Sequence, residues 1–185
     1  MAQLTKKAIL MAFLNLLEQR PFEKITVRDI VVECGITRNT FYYHFEDVYA
    51  VLRELMTEQA ERAGKSSGSP ASLAQCFREA MGFALEHKRA AYHICCSSRR
   101  EELFRYLSAQ AEDVLGRYLL SLPSARGASQ EDMNRLARFY SNALLGLLRD
   151  WAEGGMKEDL DREICRTGEL LEGSAQSALR LCAAK

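Results

Sequence analysis

One twenty-residue stretch constrains this chain more than any other: TVRDIVVECGITRNTFYYHF, residues 26–45. It reads as two short helices joined at a corner, the first over about residues 27–34 and the second over about 38–45. Gly35 stands at the corner, where a positive φ is often required and only glycine adopts it cheaply. Ile36 follows as an apolar plug, and Thr37 is a good N-cap for the second helix. Thr26 can cap the first, with Asp29 three residues on to complete a capping box. This is the helix-turn-helix plan, whose second helix is shaped for the DNA major groove.

The second helix divides into two faces. At 100° per residue, Phe41 and Phe45 lie together, with Arg38 close by. The opposite side centres on Asn39 and Tyr43, flanked by Thr40 and Tyr42. The two Phe rings are therefore expected to be buried, and the amide, hydroxyl and phenols to face outwards. Asn can pair bidentately with adenine, Thr can touch a thymine methyl or a phosphate, and Tyr can donate to phosphate oxygens. An ordinary surface helix is the plainer alternative, but two exposed tyrosines beside Asn and Thr favour a binding face.

Ile30-(x)3-Cys34-Gly35-Ile36-Thr37-(x)2-Thr40-Phe41-Tyr42-Tyr43-His44-Phe45 resembles the DNA-binding signature of TetR-type bacterial transcriptional regulators over about residues 5–52. The resemblance implies Thr26 and Arg28 as phosphate contacts. It implies Arg38, Asn39, Thr40, Tyr42, Tyr43 and His44 as recognition-helix contacts, with the cap Thr37 beside them. The chain departs from the family at Val48, where many members carry a lysine that contacts phosphate. Either that contact is lost or the docking differs.

The rest of the chain is consistent with an all-α fold. Only three of 185 residues are proline, and no convincing period-2 strand occurs. No apolar run is long enough to span a membrane, and the amphipathic N-terminus does not resemble a signal peptide, so a cytoplasmic protein without a membrane partner is expected. Net charge is zero, and residues 1–45 hold six Lys/Arg against four Asp/Glu, 6 − 4 = +2. Any DNA affinity then comes from a few placed contacts, helix N-termini and dimerisation.

About nine helices are expected. A first helix over 4–20 buries Ile9, Ala12, Phe13, Leu16 and Leu17, ends at Pro21, and offers Lys6 or Lys7 to the DNA backbone or simply to solvent. Asp47 caps a fourth helix that runs to about residue 63. Residues 64–70, rich in Gly and Ser and closed by Pro, read as a flexible boundary. The expected domains are thus a helix-turn-helix unit over 1–52 and a helical effector-binding and dimerisation domain over 64–185. In the latter, helices are expected over 72–87, 89–96, 98–122 (opened by a Ser98–Glu101 capping box), 130–153 (opened by a Ser129–Asp132 box) and 160–182.

The apolar residues of 130–153 spread over about half the circumference, more than one core requires. The last two helices are therefore read as a homodimer interface through Tyr140, Leu144, Leu147, Leu148, Trp151, Leu171, Ala175, Ala178 and Leu179, the alternative being that both are central core helices. The resemblance supports the dimer, since TetR-type regulators usually pair through their last two helices. Arg99-Arg100-Glu101-Glu102-Leu103 and Arg149-Asp150-Trp151 are similar to a subset of that family.

The resemblance further implies a small-molecule effector of unknown identity in the C-terminal domain. Candidate contacts are Tyr92, His93, Tyr106, Gln110 and Tyr140, polar or aromatic groups on otherwise apolar faces, each also readable as a satisfied core group. No cofactor or metal is expected: the six cysteines form no Cys-x-x-Cys pair, and no His sits at zinc-ligand spacing. They are expected as free thiols, with a Cys95–Cys96 thiol sensor as the weaker alternative. No nucleophile elbow, phosphate loop or paired carboxylates indicate an enzyme. The expected function is a ligand-responsive repressor that binds a palindromic operator as a homodimer. The alternative is a co-regulator of the same fold that acts mainly through a protein partner.

Overall fold

The computed structural model describes residues 2–64 and 69–183. Most of the expected boundary loop, residues 65–68, lies outside the described residues. Among those described, the chain forms eleven α-helices and two short 3-10 turns, with no strand. Helix α1 (Ala2–Gln19), with Ile9, Phe13, Leu16 and Leu17 buried, packs on α2 (Val27–Glu33), the first helix of the helix-turn-helix pair, which in turn packs on the second, α3 (Arg38–His44). Helix α4 (Val48–Gly64) leads out of this unit, its first turn closed by Asp47, which accepts from the Ala50 N–H at 2.7 Å.

The body follows as α5 (Leu73–Ala80), α6 (Gly82–Glu86), α7 (Lys88–Cys95), α8 (Arg100–Ser121), α9 (Gln130–Glu153), α10 (Leu160–Leu170) and α11 (Ser174–Ala183). The long helices α8 and α9 pack side by side, with α5 and α10 laid against them. Buried side chains from Ile9 to Leu179 form one continuous core, so the helix-turn-helix unit is seated on the body.

The difference between nine and eleven helices has two physical sources. The helix expected over 72–87 breaks at Met81, immediately before Gly82; glycine costs a helix interior about 1 kcal/mol relative to alanine. The helix expected over 160–182 breaks at Leu171–Gly173, because Gly173 takes a φ of +83°, the left-handed value that stops a helix. The break is used structurally. Glu172, in this turn, accepts from the Leu73 N–H at the start of α5 (2.9 Å) and from the Tyr118 hydroxyl (3.0 Å).

The Ser98–Glu101 capping box does not form. Helix α8 begins at Arg100 without a side-chain cap, and the Ser98 N–H instead donates to Glu23 Oε1 of the N-terminal unit at 2.8 Å. A tertiary partner replaces the local one. The box expected at Ser129 forms in its first half, with Ser129 Oγ accepting from the Asp132 N–H at 3.1 Å.

Candidate nucleic-acid interface

The recognition helix is short, and its orientation is set by what surrounds it. Thr26 and Asp29 form the complete capping box at the start of α2: Thr26 Oγ1 accepts from the Asp29 N–H at 3.3 Å, and the Thr26 N–H donates to Asp29 Oδ2 at 2.9 Å. Gly35 turns the corner at φ +66°, and its Cβ position is open, so the constraint there is conformational. Thr37 caps α3, accepting from the Thr40 N–H at 3.2 Å. Phe41 is fully buried and Phe45 nearly so, their rings 6.0 Å apart. These two rings anchor α3, so its other face is held outward.

That outward face holds the side chains expected there. Asn39, Tyr42 and Tyr43 are exposed, Tyr43 at 80%. Arg38, Thr37, Thr26 and Arg28 are exposed as well, while Thr40 and His44 are half-buried. Thr40 also shares a hydroxyl contact with Thr37 at 2.9 Å, and the Tyr43 and His44 rings meet edge-on at 5.1 Å. The surface therefore combines one carboxamide, two phenols, two guanidiniums and the N-terminus of a capped helix. Such a set can hydrogen-bond base edges and phosphates together.

Two nearby positions are committed elsewhere. Lys6 Nζ pairs with Glu54 on α4 at 2.6 Å and so bridges α1 and α4. Val48 is half-buried and packs against the core, so the start of α4 presents a hydrocarbon at the position where the family pattern has a lysine.

The hydrogen bonds of Thr26 hold the Asp29 carboxyl below its ordinary pKa, with burial opposing them and Arg20, 3.4 Å away, helping. A depressed folded-state pKa adds stability that is fully present above the unfolded-state pKa and is lost as pH falls through the folded value. Wild type should therefore lose this contribution only under acid conditions. In thermal melts from pH 7 to pH 2, Asp29→Asn is expected to start lower and to show less of the acid-induced decline. Thr26→Ala is expected to cost about 1 kcal/mol at neutral pH through loss of the cap.

The five candidate effector contacts do not converge. Tyr140 is buried and bonded to Ser174 Oγ at 2.7 Å. The His93 ring contacts the Leu17 carbonyl at 2.6 Å through Nδ1, and the Tyr92 hydroxyl lies against Cys96. Tyr106 lines a groove between α4 and α8, and Gln110 is half-buried one turn further on. The nine expected interface residues also divide. Tyr140, Leu144, Leu148, Trp151, Ala175 and Leu179 are buried inside the protomer, leaving Leu147, Leu171 and Ala178 partly exposed. Cys95 is buried, which pushes its thiol up to about 12, whereas Cys96 is exposed.

Sequence reasoning missed the seam between the N-terminal unit and the body. It consists of His93 on the Leu17 carbonyl, His87 beside Glu18 at 3.3 Å, the Ser98 N–H on Glu23, and the Arg99 guanidinium stacked 3.9 Å over the Tyr49 ring. The first of these pairs is 76 residues apart in sequence, and no local pattern announces it. Among the described residues, no helix is long and apolar enough to cross a membrane, and no group of three or more His, Cys, Asp or Glu could hold a metal.

A capped helix-turn-helix with a polar aromatic recognition face, seated on an all-helical body, defines the class of DNA-binding transcriptional regulators. Residues 9–55 match the family model for bacterial regulatory proteins of the tetR family, and residues 71–173 match that for a transcriptional regulator C-terminal region. The chain belongs to the TetR family. A curated relative, the HTH-type transcriptional regulator EthR of Mycobacterium tuberculosis (strain H37Rv), is 43% identical over 56 residues. That match spans 30% of this chain and only 26% of the relative. Among solved structures, the dihydroxyacetone kinase operon activator DhaS superposes with a TM-score of 0.71 at 18% identity, covering 90% of this chain and 93% of that one. The fatty acid degradation regulator FadR from Bacillus halodurans gives 0.68 at 16% identity with the same coverage. At these identities the structures show a shared fold and nothing more.

Proposed function

We propose that this protein is a homodimeric repressor that binds a palindromic operator and releases it in response to a small molecule. The observation that carries the reading is the exposed Asn39, Tyr42 and Tyr43 face, held outward by the buried Phe41–Phe45 anchor. A single two-turn helix with a weak charge bias makes few phosphate contacts, so useful affinity needs two copies on one site.

The body offers a surface for such pairing on the same last helices, including Leu147 and Ala178 of the residues expected from the sequence. On α9, Phe139 is 65% exposed, and Leu136, Ala143 and Leu147 on the same face are only half-buried. Leu181, 72% exposed, and Ala178 add to it from α11, which packs beside α9. Two helices paired with their symmetry copies across this surface would form a four-helix contact. In light scattering, wild type is expected as two chains per particle. Phe139→Glu is expected to shift it to one and to weaken DNA binding at least tenfold, since each half-site is then bound alone. A wild-type particle of one chain would refute the dimer.

The function is tested by fluorescence anisotropy on the DNA just upstream of the protein's own coding region, at two salt concentrations. Binding that survives moderate salt, with two chains per site, is the expected result. Binding no tighter than to scrambled DNA would favour the protein-partner reading, which the hydrocarbon at Val48 in place of a cation supports.

A further inference from the structure

The seam between α4 and α8 holds a groove of about 380 Å³, within the size range of small-molecule sites. Its apolar part comes from the buried Met56, the half-buried Tyr106 ring and the Ala109 methyl. Tyr106 is fixed edge-on against Phe83, with 6.4 Å between ring centres. Its hydroxyl has no hydrogen-bond partner among the described residues. Burial pushes that hydroxyl up to about 12, so at neutral pH it stays a proton donor.

The charges around the groove are unequal in their commitments. Glu102 is paired with Arg99 at 3.4 Å through Oε1, its buried Oε2 having no hydrogen-bond partner among the described residues, and Arg53 is paired with Glu46 at 3.3 Å. Arg105, also on the groove, has no acidic partner among the described residues. One uncompensated guanidinium, a second held only by an exposed pair, and a free phenol donor thus surround an apolar trough. An exposed pair such as Arg53–Glu46 contributes about 0–1 kcal/mol, so a ligand anion can replace it. The Glu102 carboxylate on the groove repels a dianion more strongly than a monoanion, and the two guanidiniums of Arg53 and Arg105 can offset a single ligand charge.

We propose that the α4–α8 groove binds a small amphiphilic carboxylate, with its headgroup held by Arg105 and Arg53 and its apolar body laid on Met56, Tyr106 and Ala109. The proposal rests on the ligand-responsive reading above and names the ligand class. The position also supplies a coupling route. Glu46 lies two residues beyond the end of α3, so an anion that takes Arg53 frees the segment joining the recognition helix to α4. A ligand lodged between α4 and α8 also bears on both sides of the seam, and it shifts DNA binding as far as it binds the two arrangements differently.

The test uses the full chain and isothermal titration with 4-butylbenzoate, its methyl ester and 4-butylbenzylamine as probes. Wild type is expected to bind the carboxylate saturably and at least tenfold more tightly than the ester or the amine. Arg105→Gln is expected to lose at least tenfold in affinity, and Ala109→Trp, which fills the groove from an exposed position, to abolish binding. No saturable binding by wild type, equal binding of acid and ester, or wild-type binding by both variants would each overturn the proposal. Anisotropy on promoter DNA is run alongside. Loss of carboxylate binding with DNA binding intact strikes this inference alone, and the reverse pattern strikes only the regulator reading.

Discussion

Changing Asn39 and Tyr43 together to alanine is expected to remove specific operator binding while leaving the fold untouched. Both side chains are exposed on α3, and substitutions at such positions usually change stability by no more than about 0.5 kcal/mol. A bidentate amide–adenine pair discriminates by about 1–3 kcal/mol, and a phenol–phosphate hydrogen bond adds about 1 kcal/mol. Their sum, roughly 2–4 kcal/mol per recognition helix, corresponds to about a 30- to 1000-fold loss in affinity. Neither residue carries charge, so the dependence of affinity on salt should be unchanged. Arg38→Ala should behave differently, weakening binding to all sequences and lowering the salt slope by about one. Anisotropy across a salt series separates the two cases. Operator binding by the double variant within threefold of wild type, with an unchanged melting temperature, would show that this face does not read DNA.

Gly168→Val is expected to destabilise the body strongly. Gly168 is buried on α10 where this helix crosses α5, and a Cβ there would lie 2.4 Å from Ala74 Cα and 2.7 Å from Ala74 N. These are backbone atoms, so no rotamer change can relieve the contact. Overpacking typically costs about 1–3 kcal/mol, and a clash with backbone should reach or exceed the upper end. The helices would have to separate, straining the Glu172 bonds to the Leu73 N–H and the Tyr118 hydroxyl that hold the α10–α11 turn on α5. Gly168→Ala should be milder but still destabilising, because about 1 kcal/mol of gained helix propensity opposes the same contact. Thermal melts would check the order wild type, then Ala, then Val. A Val variant as stable as wild type would mean that the α5–α10 crossing is looser than the structure describes.

Local chemistry made the helix-turn-helix legible in the sequence. The Thr26–Asp29 box, the left-handed Gly35, the Thr37 cap and the buried Phe41–Phe45 pair each depend on residues within four positions of one another, and all four are present. Periodicity likewise located α1, α4, α8 and α9, because a helix's buried stripe repeats every three to four residues whatever it packs against. Glycine and capping signals were less decisive where a tertiary contact competed. Ser98 gave up its box for Glu23, and Gly173 ended a helix that its neighbours alone would have continued.

The sequence by itself thus determined the class of fold, the position of the recognition helix and which of its faces is apolar, since these follow from short-range spacing. Only the tertiary structure decided which apolar residues of α9 and α11 are used up inside the protomer. Tyr140, Leu144 and Leu179 are covered by neighbouring helices, while Phe139 and Leu181 are left outside, and amphipathicity alone cannot distinguish one burial partner from another. The tertiary structure likewise decided the polar seam of His87, His93, Ser98 and Arg99 against the N-terminal unit, and the α4–α8 groove with its Arg105 guanidinium and Tyr106 phenol. Each joins residues far apart in the chain, whose meeting depends on how the helices pack.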